Sequence, residues 1–95
     1  MNPLEKIESD PRLQTILNGL TQMWHYPEEF LSLVTYHTDD FDIANETIVM
    51  FSEYDIDLED ALFQTMELTD FKERCLESEY LNKERCKELY DEGTL

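Results

Sequence analysis

From Leu13 to Phe71 the 95-residue chain contains neither lysine nor arginine, although thirteen aspartates and glutamates fall in the same span. Glycine and proline are also scarce, at two and three residues. A β-sandwich or barrel would lack its turn residues, and helices are the expected elements. No apolar run approaches the roughly 20 residues of a membrane-spanning helix, so no membrane contact is expected. The opening MNPLEKIESD lacks the charged-then-apolar pattern of a secretory signal, which makes a cytoplasmic setting the expectation. Cysteine occurs twice, at Cys75 and Cys86. Eleven positions of continuous helix would separate them by about 16 Å, beyond the roughly 7 Å between Cα atoms that a disulfide tolerates. They therefore read as reduced, half-buried thiols, unless a helix break between Ser78 and Asn82 brings them closer.

The usual signatures of catalysis are missing too. There is no glycine-rich phosphate loop, no Gly-x-Ser-x-Gly elbow and no cysteine with an adjacent base. His25 and His37 stand outside any His-Glu-x-x-His or Cys-x-x-Cys context, and neither a metal nor a cofactor is expected. With 23 acidic residues, carboxylate pairs suited to acid–base work arise by chance, so they do not argue for an enzyme.

What is present is an apolar content of 41% and an aromatic content of 12%, enough for a real core despite a net charge of −16. The expected fold is all-α, a single domain of five or six short helices. Asn2-Pro3 and Asp10-Pro11 each place a capping side chain before a proline at the first helical position. The first helix, LEKIES, is short. The second carries Leu13, Ile16, Leu17, Leu20 and Trp24 at spacings of three and four, with Gly19 allowing close packing. Pro27 starts a third helix with Phe30, Leu31, Leu33 and Val34 as its core stripe. A fourth is expected over about Asp39 to Tyr54, capped by Thr38 and buried over nearly half its circumference by Phe41, Ile43, Ala44, Ile48, Met50, Phe51 and Tyr54. A fifth carries Leu58, Ala61, Leu62 and Met66. Thr69 caps a last, long helix that Gly93 ends.

The segment Ser52 to Asp60, SEYDIDLED, holds five carboxylates in nine residues. Its alternation of acids with Tyr54, Ile56 and Leu58 suits a strand, but aspartate is a poor strand former. An EF-hand loop starting at Asp55 puts Asp60 where glycine is needed and Met66 where a bidentate glutamate is needed. A helix start fits best: Tyr54 closes one helix, Asp57 caps the next, and Glu59 and Asp60 occupy its positively charged first turn.

Local capping does not account for the missing cations. On a helical wheel Asp39, Asp42, Glu46 and Glu53 fall within an arc of about 60°, and Asp55, Asp57, Glu59 and Asp60 continue beyond it. Duplex DNA presents one negative charge per roughly 1.7 Å of axis, and a ridge of carboxylates on rigid helices imitates part of that field. The expected function is that of a small protein-binding inhibitor or decoy occupying the basic cleft of a nucleic-acid-binding protein or nuclease. It is similar in size and charge alone to phage-encoded DNA mimics and toxin-neutralising immunity proteins. Trp24 and Tyr36 are candidate interface anchors beside the acids, with core packing as their ordinary role. Direct binding to nucleic acid is not expected, because phosphates would be repelled. The alternative is an adaptor or assembly subunit, with homodimerisation an option, that binds through an apolar helix face while its acids serve solubility.

Overall fold

The computed structural model describes residues 2–93, which are all-α, with seven helices and no strand among them. The helices are α1 (Pro3–Glu8), α2 (Pro11–Met23), α3 (Glu28–Tyr36), α4 (Phe41–Tyr54), α5 (Leu58–Thr65), α6 (Leu68–Glu77) and α7 (Lys83–Gly93). The chain divides into two compact units, the first ending at Asn45 and the second beginning at Glu46, so that the division falls within α4.

In the first unit the two proline-preceding caps form as their chemistry dictates. The Asn2 side chain accepts from the Glu5 N–H at 2.8 Å, and that of Asp10 accepts from the Arg12 N–H at 3.0 Å. Helix α1 packs on both α2 and α3, burying Ile7 against a core of Leu13, Ile16, Leu17, Leu20, Leu31 and Val34. Gly19 has a steric reason to be glycine: a Cβ there would lie 2.7 Å from Cε2 of Phe41. The buried arc of α3 differs from the apolar stripe, since Ser32 and Thr35 are buried while Phe30 and Leu33 are only half-buried.

Helix α4 starts at Phe41, two residues later than expected, because Asp40 and not Thr38 is its cap. The Asp40 carboxylate accepts from the Asp42 N–H at 2.8 Å, while Thr38 Oγ1 instead accepts from the Asp40 N–H at 3.1 Å. Asp39 consequently lies outside the helix. The wide buried arc is also narrower than expected: Ala44, Thr47 and Ile48 are buried, Phe41, Ile43, Met50 and Phe51 are half-buried, and Tyr54 is 62% exposed.

In the second unit α5, α6 and α7 pack on one another around Leu58, Leu62, Phe71, Leu81 and Leu89. Phe63 meets Phe71 edge-on at 5.3 Å. The long final helix is in fact two. Ser78 turns to an extended ψ of 137° and its Oγ accepts from the Tyr80 N–H. Asn82 then caps α7 by accepting from the Arg85 N–H at 3.1 Å. The break raises the helix count to seven. Thr69 does not cap α6, which begins one residue earlier at Leu68. Gly93 closes the described part of α7 with ordinary negative φ, packed against Leu68 and Phe63, and not as a left-handed stop.

Candidate functional site

The acids of the expected ridge divide by environment. Asp39, Asp42, Glu46, Glu53, Asp55 and Asp57 are all exposed, and none of the six makes an ion pair with a described basic residue. Asp42 lies in the first unit; in the second, Glu46 and Glu53 share one face of α4, within about 20° of one another on the wheel and about 10 Å apart along the axis. Asp55 follows with a positive φ of 51°, the left-handed conformation that ends many helices and that aspartate accepts more readily than most residues. Asp57 holds the N-cap position of α5 with extended φ and ψ, yet its carboxylate makes no capping hydrogen bond. It is therefore presented to solvent, contrary to the capping role expected of it.

Glu59 and Asp60 are committed elsewhere in the second unit. Glu59 Oε2 accepts from the Asn82 N–H at 2.8 Å, which fixes the start of α7. Asp60 receives both Nε and Nη2 of Arg85, whose Nη1 also reaches Glu88 at 2.9 Å. These hydrogen bonds, to Asp60 first, hold the Arg85 proton more firmly than usual. Both acids thus join α5 to α7.

The aromatic candidates have structural partners in the first unit. Trp24 Nε1 donates to Asn45 Oδ1 at 2.9 Å, and its ring tilts against Tyr26, which in turn meets Phe30 at 5.0 Å. The Tyr36 ring lies under the Lys6 ammonium at 4.5 Å and edge-on to His37 at 4.9 Å. Each remains half-buried. The aromatic that stands among the acids is Tyr54, between Glu53 and Asp55. Its phase on the wheel assigns it to the core; its place in the last turn of α4, where the chain departs, leaves it open to solvent.

His37 is 1% exposed, and its Nδ1 donates to the Leu33 carbonyl at 2.7 Å, while His25 is exposed. No group of three or more His, Cys, Asp or Glu side chains able to hold a metal occurs among the described residues. Cys75 and Cys86 are buried, at 1% and 0% exposure, and not half-buried as expected. The Ser78 to Asn82 break brings α7 back along α6, so the two free thiols interact with each other and border one cavity of about 170 Å³. Lys83 Nζ donates to the carbonyls of Cys75 and Leu76 there, closing the open end of α6. Burial pushes both thiols up, and the contact with Cys86 raises Cys75 further. They are poor nucleophiles in consequence.

Comparison with protein-family models, curated proteins and solved structures finds no match for this chain. No helix is long and apolar enough to cross a membrane among the described residues.

Proposed function

We propose that the protein binds a basic partner protein through the exposed carboxylates of α4 and the α4–α5 turn, occupying a cleft that otherwise takes nucleic acid. The observation that carries this reading is the run Glu46, Glu53, Asp55 and Asp57 of the second unit, all exposed and unpaired with any described base, around the exposed ring of Tyr54. A surface serving solubility alone gains from interspersed lysines; this one forgoes them where Glu59 and Asp60, a few residues on, take up structural bonds. Two carboxylates over about 10 Å amount to roughly a third of the axial charge density of duplex DNA. The turn acids are therefore needed, and the imitation is of a short stretch of backbone. The acids steer encounter and Tyr54 supplies apolar contact.

The test is capture from cell extract on the immobilised protein at low salt, with elution by a salt gradient and, separately, by duplex DNA. Basic proteins released by either eluent, and not retained by a variant carrying Glu46→Gln, Glu53→Gln, Asp55→Asn and Asp57→Asn, are the expected result. Equal retention by that variant, with its helical circular dichroism intact, contradicts the proposal.

A further inference from the structure

A second surface carries chemistry that the acidic face of α4 does not use. Asn2, Pro3, Leu4, Glu28, Glu29 and Ser32 border a cavity of about 420 Å³ where the start of α1 lies beside the first turns of α3. That volume lies in the range of roughly 300–1,000 Å³ typical of ligand sites. Ser32 is 3% exposed, and its Oγ has no hydrogen-bond partner. Buried hydroxyls are rarely left so. A helical serine or threonine ordinarily turns back to the carbonyl four residues earlier, as Thr35 does to Leu31 at 2.8 Å and Thr15 to Pro11 at 3.0 Å. Ser32 forgoes that bond at the border of the cavity.

The surrounding charge selects the ligand. Glu28 and Glu29 are exposed, and no basic residue borders the cavity among the described residues. The first turn of α3, which has no side-chain cap, contributes the equivalent of roughly half a positive charge. Two full negative charges outweigh it, which excludes an anion. Pro3 and Leu4 add apolar wall, and the Asn2 side chain is already occupied by Glu5.

We propose that this cavity takes a lysine side chain of a basic partner protein, its stem against Pro3 and Leu4 and its ammonium shared by Glu28, Glu29 and Ser32. An ammonium has three donors and no acceptor, matching two carboxylates and one orphaned hydroxyl. A planar guanidinium is matched instead by paired coplanar oxygens. The inference does not rest on competition with nucleic acid at α4, because it concerns other residues and a different probe.

The experiment is a titration of the full chain with Nα-acetyl-lysine methylamide, followed through backbone amide shifts. Blocked norleucine, which keeps the stem without the charge, is the control. Saturable shifts at Leu4, Glu29 and Ser32 are expected with the lysine probe alone. Ser32→Ala, which breaks no internal hydrogen bond, weakens it by roughly threefold, and Glu28→Gln with Glu29→Gln by roughly fivefold, the scale of two partly exposed ion pairs. Equal shifts with norleucine, shifts confined to Asp39 through Asp60, or unweakened binding by either variant overturns the proposal. Tighter binding of 1,4-diaminobutane than of blocked lysine also overturns it, by assigning the cavity to a free amine.

Discussion

Neighbouring acids in this chain do different work, and Asp60 and Glu53 show the contrast best. The Asp60 side chain is 19% exposed against Arg85 at 37%, so the pair is partly screened and stabilises the second unit by about 1 kcal/mol or less. Asp60→Asn is expected to lower the unfolding free energy by that amount in urea melts and to leave partner binding unchanged. Glu53→Gln is expected to do the reverse, weakening binding without moving the melt. Composition counts the two residues alike. Their difference depends on Arg85, 25 positions away and brought close only by the tertiary fold, which is why the sequence supports a ridge of eight acids and the structure leaves six of them unpaired. Tyr54 fails to read correctly for a related reason: a helical wheel gives the direction of a side chain but not where the helix stops being covered.

At the scale of elements, the all-α architecture, both proline-preceding caps and the core positions Leu13, Ile16, Leu17 and Leu20 follow from local sequence, whereas α2 stops at Met23 and leaves Trp24, which its spacing of three and four includes, as an extended cap residue outside the helix. The split between α6 and α7 is only half legible. Ser78 and Asn82 are good capping residues, but no glycine or proline marks the break, and tertiary bonds from Glu59 and Lys83 hold it. That break places Cys75 and Cys86 in contact with their titration suppressed by burial. Raised thiol pKa values in the folded state give stability that is complete below the unfolded thiol value, near 8.5, and declines as pH rises above it, because the unfolded chain releases protons that the folded one retains. Denaturant melts under reductant are expected to lose up to about 1.4 kcal/mol per pH unit for each thiol above that value. Cys75→Ala should halve the slope, and an unchanged slope would contradict the buried pair. Gly19→Ala opposes a helix-propensity gain of about 1 kcal/mol to overpacking of about 1–3 kcal/mol against Phe41. The 2.7 Å approach favours the second, so a melting point below wild type is expected.

For the molecule as a whole, the net charge of −16 is a standing repulsion that the two cores must overcome. Raising ionic strength from about 10 mM to 150 mM shortens the screening length from roughly 30 Å to 8 Å. If that relieves about 1 kcal/mol, the melting temperature rises by roughly 4–8 °C; a fall would mean that attractive pairs dominate. Function is less legible than fold at this scale. In the proposed reading the charge arrangement points to a basic partner, whereas the identity of a target depends on shape that no local pattern encodes.

The most direct test is competition for a captured basic partner, with labelled duplex DNA displaced by the protein and followed by anisotropy across a salt series. Stoichiometric displacement is predicted, with affinity for the partner falling at least tenfold between about 50 mM and 200 mM salt. DNA that stays bound while the protein also binds, or an affinity indifferent to salt, would contradict the decoy account.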